Sequence, residues 1–386
     1  MDKKIREVCV FSEGDSNDVS VWSNIPYFFT KSLEENGIKV NRINIKVDNK
    51  LRNFYNDFLV RKFIQKYFKN NWYDFSRSFL CRIIVERRIW NATKLYPQTD
   101  IFIFLSFSFY NRFTNKPSIQ LCDWTYQILV NQRKFRKFNF LEYLYIKGEN
   151  SAIENSFMVI SLFPECTQTM QNTYKNTNIF YLGTNVINNY NKFDIEKLDI
   201  IKIKEENSII LFIGNKQYME GAILLLNAFI NMFNHHNNNS NWELHYIGLE
   251  SKDFNQELPN NITCHGYLHK NIEDECQVYY DLLIRARVFV NPTPIWGGYS
   301  STIEAMFYYN PIVISPYIDF LKEFGTDIGF GQYLKNSDIQ SLEDALNNVL
   351  LSKDYRKSCL CAHETVKNYT WPNFISRFLN KYDSLI

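Results

Sequence analysis

ARVFVNPTPIWGGYSSTIEAMFYYNPIVISP, residues Ala286 to Pro316, reads as strand, glycine loop, helix and strand. RVFVN is a short apolar, β-branched run, and the glycine pair breaks it. Ser301 followed three residues later by Glu304 is a helix-starting capping signature. IEAMFYY is helical, Asn310-Pro311 stops it, and PIVIS is a second buried strand. This is one βαβ unit with its glycines at the carboxyl end of a strand, where open α/β sheets hold ligands. The amides of Gly297, Gly298 and the first helical turn, Tyr299 and Ser300 included, suit an anion such as a diphosphate. Glu304 on the same turn can accept paired hydrogen bonds from vicinal hydroxyls. A nucleotide sugar presents both groups.

The pattern P-x(n)-GG-x(5)-EAM-x(4)-PIVIS resembles the donor-site block of the family 4 (group 1) retaining glycosyltransferases of GT-B fold. The resemblance implies that Glu304, before Ala-Met, holds the donor ribose. Eight residues earlier, where the family carries the first of two glutamates, this chain has Trp296, a sugar-stacking platform or packing at the loop base. The simpler role for Glu304 is to close a capping box with Ser301.

A chain of 386 residues suits two domains. Its 45% hydrophobic and 22% charged residues are those of an ordinary globular protein. The start, MDKKIREVCVFSEG, runs directly into a strand without a secretory signal, and eight scattered cysteines read as reduced thiols; a cytoplasmic location is expected. The net charge of +2 hides an asymmetry. Residues 1–190 hold 26 Lys+Arg against 17 Asp+Glu, and residues 191–386 hold 17 against 24. A basic first half points to an anionic membrane surface or phosphorylated acceptor, not to nucleic acid, or to two halves that complement each other.

In chain order, Glu7 to Phe11 is a strand. Ser23 or Asn24 is expected to cap the helix IPYFFTKSLEENG, which ends at Gly37, and IKVNRINIKV is the next strand. Residues 51–97 are helical, basic and aromatic, and helices within 61–90 and 131–140 are candidates for peripheral membrane contact. Ordinary amphipathic helices with their rings packed inward are the alternative. KPSIQLC leads into Asp123, an acid at the end of a buried strand. It is the candidate catalytic or acceptor-side residue, or else a turn residue.

Residues 1–185 form the expected acceptor-side domain, 186–206 a linker, 207–368 the donor domain and 369–386 a helix that returns to the first domain. SIILFIGNKQYMEGAILLLNAF opens the second half and resembles the family's second landmark, with Gly214 and Gly221 in place. The family's arginine and lysine for the diphosphate are replaced by Asn215 and Glu220, leaving Lys216 as the nearby cation. IDFLKEFG and IGFGQYL are expected to finish the sheet.

The expected fold class is therefore α/β, GT-B: two Rossmann-like domains facing a cleft. The implied reaction moves a sugar, with retention and without metal or other cofactor, from a UDP- or GDP-sugar to a hydroxyl acceptor, a glycan or lipid-linked glycan of a surface polysaccharide. A nucleotide-sugar epimerase and a non-catalytic subunit that stabilises a partner transferase are the competing readings.

Overall fold

The computed structural model describes residues 5–67, 73–134, 137–183, 199–234, 241–294 and 298–386. The chain divides into two compact units: Met1–Thr184 with Trp371–Ile386, and Asn185–Thr370.

The first unit is built on six parallel strands: β1 (Glu7–Ser12), β2 (Lys39–Asn44), β3 (Ile101–Phe104), β4 (Ser118–Cys122), β5 (Met158–Ser161) and β6 (Ile179–Tyr181). Their order is β2-β1-β3-β4-β5-β6, with Val8 opposite both Val40 and Ile101. The inner strands are runs such as VCVF, IFIF and MVIS, buried on both faces, as a parallel sheet covered by helices requires. Phe11 and Phe104 stack across adjacent strands at 4.6 Å.

Helix Ile25–Glu35 begins with Pro26 in its first turn, and Asn24, the residue at its N-cap, makes no side-chain cap. Trp22, Ser23 and Asn24 instead lie in the left-handed region, with φ of 38°, 52° and 70°. The helix does end as expected: Gly37 has φ +77° and Ile38 N–H donates to the Leu33 carbonyl. The last helix, Trp371–Asp383, belongs to this unit and buries Trp371, Phe374, Ile375, Phe378 and Tyr382. Phe378 meets the Phe29 ring edge-on at 5.8 Å, and Arg377 Nε donates to the Leu182 carbonyl at 2.6 Å.

The second unit also holds six parallel strands: β7 (Ile209–Ile213), β8 (Glu243–Ile247), β9 (Ile262–Cys264), β10 (Val288–Asn291), β11 (Ile312–Ile314) and β12 (Gly331–Tyr333). Their order is β12-β11-β10-β7-β8-β9. IDFLKEFG is not part of the sheet; it forms the helix Ile318–Phe324, and only Gly331–Tyr333 adds a strand. The stretch expected as a linker is partly helical as well. Ile200–Glu206 is a helix whose Lys204 is fully buried, with Nζ donating to the Leu283 and Ala286 carbonyls and to Asn310 Oδ1. Residues 186–198 of that stretch lie outside the described residues.

Each unit is thus the α/β, Rossmann-like half expected. All strands in a sheet run the same way, so their carboxyl ends share one edge, and the loops at that edge carry the candidate site residues. Among the described residues, no helix is long and apolar enough to cross a membrane.

Candidate donor site and acceptor-side cluster

Glycine sets the edge of the second sheet. Gly214 N–H donates to the Ile247 carbonyl at 2.9 Å, fixing the end of β7 against the end of β8. Gly248, at φ +94°, closes the approach: a Cβ there would stand 2.6 Å from the Gly214 carbonyl oxygen. Gly221 lets the helix Met219–Phe229 press on the loop after β10, since a Cβ would come within 2.3 Å of Thr293 Oγ1. Tyr218 hydroxyl donates to the Gly298 carbonyl at 3.1 Å, so the loop after Gly214 and the loop before Ser300 meet. Trp296 and Gly297 lie outside the described residues.

Helix Ser300–Phe307 starts without a side-chain cap, and Ser301 is its second residue. Glu304 closes no capping box. Its carboxylate, on a residue only 5% exposed, accepts from Lys270 Nζ on both oxygens, at 2.6 Å (Oε1) and 2.7 Å (Oε2), and from Tyr279 hydroxyl at 2.7 Å on Oε2. The Lys270 ammonium also lies 4.1 Å from the centre of the Tyr279 ring. Lys270 and Tyr279 were not singled out by sequence reasoning. Lys270 precedes and Tyr279 lies within the helix Glu273–Arg285, and only the packing of that helix beside Ser300–Phe307 brings them to Glu304.

Lys216, an expected donor residue, and Asn215, which replaces the family's arginine, both have partners of their own. Lys216 reaches Asp253 Oδ1 at 2.6 Å with its side chain 72% exposed, so its ammonium is held in a solvated ion pair. Asn215 Oδ1 accepts from Gln217 N–H at 2.9 Å, closing its own turn. The Tyr299 ring is buried edge-on against Phe320 at 5.2 Å, which leaves its backbone as the part able to meet a ligand. Ser300 is exposed at the helix start. Beside these loops a cavity of about 620 Å³ opens between Glu220, Ile223 and Leu224 on one side and Pro294, Asp338 and Ile339 on the other. That volume is in the range of small-molecule sites.

In the first unit, Asp123 stands at the carboxyl end of β4, half-buried. Its Oδ1 accepts from Trp124 N–H at 2.8 Å and from the Cys122 thiol at 3.2 Å, and its backbone carbonyl accepts from Ser161 Oγ at 2.8 Å. Trp124 stacks flat on Phe163 at 4.3 Å. Asp123 thus has the bonding of a turn residue as well as the strand-end position of a site residue.

Next to it is a buried group absent from the sequence reading. Glu149 accepts from Tyr126 N–H at 2.9 Å, and burial pushes its carboxyl up to about 8, with the Asp123 charge adding to the rise and the Tyr126 amide and Arg77 opposing it. Glu142, fully buried, accepts from Tyr126 hydroxyl and from Asn139 N–H. The Arg77 guanidinium lies 4.5 Å from the Tyr126 ring centre. Three separate segments supply this cluster, and no local motif marks it.

The basic aromatic stretch of this unit leaves Phe54, Phe58, Phe63 and Tyr67 exposed, with Arg61, Lys62 and Lys66 among them. Residues 68–72, 135 and 136 of the two basic segments lie outside the described residues.

Residues 207–352 match the family model for glycosyl transferases group 1. Among curated proteins, no sequence matches the chain. Solved structures are similar over nearly the whole length. A sucrose-phosphate synthase from Thermosynechococcus elongatus has TM-score 0.66 and 14% identity, covering 98% of this chain and 99% of that one. WaaG, a glycosyltransferase involved in lipopolysaccharide biosynthesis, has TM-score 0.62 and 12% identity over 97% and 99%. HepE from Anabaena, solved with UDP and glucose, has TM-score 0.57 and 12% identity over 99% of each chain. At these identities the likeness shows the fold: two parallel α/β halves in the GT-B class.

Proposed function

We propose, from a second unit that carries a group 1 glycosyltransferase domain, that this protein transfers a sugar from a nucleotide diphosphate donor to a hydroxyl acceptor, with retention of anomeric configuration. The single observation that carries the donor pocket is Glu304. It is an acid bound by Lys270 and Tyr279 and not by its own helix terminus, on the first helix after the glycine loop. Such a carboxylate suits the two hydroxyls of a ribose, and the amides of Gly298, Tyr299 and Ser300 suit the diphosphate. Charge that develops on the leaving diphosphate would be met by those fixed dipoles. HepE, solved with UDP and glucose, supports a UDP-sugar as the first donor to try, with a GDP-sugar next. No metal or cofactor enters this scheme.

The acceptor would bind the first unit, near Asp123 and the Glu149 cluster. A glycan or lipid-linked glycan suits the exposed rings and cations between Phe54 and Tyr67, which also suit an anionic membrane surface and a peripheral cytoplasmic location. WaaG, described as acting in lipopolysaccharide biosynthesis, supports that choice of acceptor class. One observation favours a second reading, a non-catalytic subunit: Lys216 is paired with Asp253 and Asn215 and Glu220 stand where the family carries cations.

The test is turnover. Purified full-length chain is incubated with UDP-glucose, UDP-N-acetylglucosamine or GDP-mannose and a set of glycan and polyprenyl-linked acceptors, and nucleoside diphosphate release is followed. Release that requires an acceptor, with a product of the donor's own anomeric configuration by NMR, is the expected result. Nucleotide binding without turnover on any pair would favour the non-catalytic subunit.

A further inference from the structure

A nucleoside diphosphate carries charge that a pocket must meet, and the usual sources are missing here. Asn215 and Glu220 flank the loop glycines, and Lys216 is ion-paired with Asp253 at 2.6 Å. The half-buried cation next to the candidate donor residues is Lys270. Its side chain is 13% exposed and its ammonium bridges the two oxygens of Glu304 at 2.6 and 2.7 Å. Those are the same two oxygens that a ribose diol would bridge. A helical side chain leans toward the start of its own helix, so the Glu304 carboxylate, with the ammonium on it, lies toward the first turn of Ser300–Phe307. The amides of that turn are the ones suited to phosphate.

We propose that Lys270 is the diphosphate-binding cation of this pocket. On nucleotide binding the ribose hydroxyls take Oε1 and Oε2 of Glu304, and the displaced ammonium swings on its flexible four-carbon stem to the phosphate oxygens. The proposal rests on the donor-pocket reading above. It keeps a half-buried charge paired in both states: with Glu304 in the free protein, with phosphate in the complex. A nucleoside without phosphates would have to break the Lys270–Glu304 pair and offer the ammonium nothing in return. The pocket is therefore selective for diphosphates over nucleosides through a residue outside the two landmark positions.

The experiment is calorimetric titration of the full chain with UDP, uridine, GDP and guanosine. It compares wild type, Lys270→Met, Lys270→Arg, Glu304→Gln and the Lys270→Met/Glu304→Gln double variant. Loss of a charged hydrogen-bonding group predicts that Lys270→Met lowers the preference for diphosphate over nucleoside by about tenfold or more, and that Lys270→Arg retains most of it. The decisive comparison is within the Glu304→Gln background. There the loss on removing Lys270 should persist, because the ammonium acts on phosphate directly. An unchanged preference in that background would overturn the proposal and leave Lys270 as a residue that only positions Glu304. Should Lys270→Met fail to fold with its buried carboxylate unpaired, Glu304→Gln against the double variant carries the same test. Wild type that binds none of the four ligands would overturn the donor pocket itself, and this proposal with it.

Discussion

The Lys270 ammonium sits on both carboxylate oxygens of Glu304, at 2.6 and 2.7 Å, in a pair whose side chains are 13% and 7% exposed. The two residues are 34 positions apart in the chain and meet at the carboxyl edge of the second sheet. A charge pair this dry is costly to break from one side, because the remaining charge has neither water nor partner. Glu304→Ala should lower the stability of the second unit by about 3–5 kcal/mol, and the double change Lys270→Met/Glu304→Leu should recover a large part of that loss. Urea denaturation of the three proteins checks this. Equal losses in the single and double variants would mean that the pair contributes little and Glu304 matters through packing.

Glu149 makes stability depend on pH. Burial raises its folded-state carboxyl from 4.5 to about 8, so between these values the folded protein holds a proton that the unfolded chain has released. Stability from this group is therefore fullest below pH 4.5 and falls as pH rises toward 8, by an amount on the order of a few kcal/mol. Glu149→Gln keeps an acceptor for the Tyr126 amide and removes the titration. Its melting temperature should fall less than that of the wild type between pH 5 and 8. Parallel pH profiles would contradict the assignment.

The fold was legible because its signals are local. Strands such as IFIF and MVIS are apolar on both faces, Pro26 and Gly37 bracket a helix, and the glycines after β7 and β10 punctuate two βα turns. The place of Glu304, on the helix that follows the glycine loop, was legible for the same reason. The capping box was not, because Ser301 has the right spacing but falls one residue inside a helix that starts at Ser300, and Lys270 and Tyr279 compete for the carboxylate. The ion pair of Lys216 was not legible, because nothing near it in sequence announces Asp253, 37 positions on, as its partner. The strand reading of IDFLKEFG failed on a short amphipathic segment, for which either period fits. Glu149 and Lys270 were invisible for a deeper reason: their chemistry comes from residues distant in the chain, and a single acid or lysine in a helix or loop has no spacing to read.

The returning helix should be essential to the first unit. Ending the chain after Thr370 removes Trp371, Phe374, Ile375, Phe378 and Tyr382, all buried. At about 1.5–3 kcal/mol for each buried side chain, the loss is comparable to the whole stability of a domain. Limited proteolysis of the truncated chain should digest residues 5–183 rapidly and leave a resistant fragment from the second unit. Resistance of both units would show that the helix is an accessory.

The exposed rings between Phe54 and Tyr67 should seek an interface. Cosedimentation of the protein with phosphatidylglycerol vesicles is expected, weaker at high salt because Arg61, Lys62 and Lys66 act through screened charge. Phe58→Ser/Phe63→Ser should reduce binding by about a hundredfold, at roughly 1.5 kcal/mol for each inserted ring, without lowering the melting temperature. Binding that is the same with neutral phosphatidylcholine vesicles, or unaffected by the double change, would rule out this surface as an anionic-membrane contact.

The most direct test of the donor pocket is a thermal melt of the full chain with UDP or GDP, wild type beside Glu304→Gln. A ligand held only by the folded state raises stability by about 2.7 kcal/mol at a hundred times its dissociation constant, enough for a shift of several degrees in a domain of this size. A rise with one nucleoside diphosphate that is clearly smaller in Glu304→Gln is the predicted result. No rise with either nucleotide, or the same rise in the variant, would contradict a donor pocket built on Glu304.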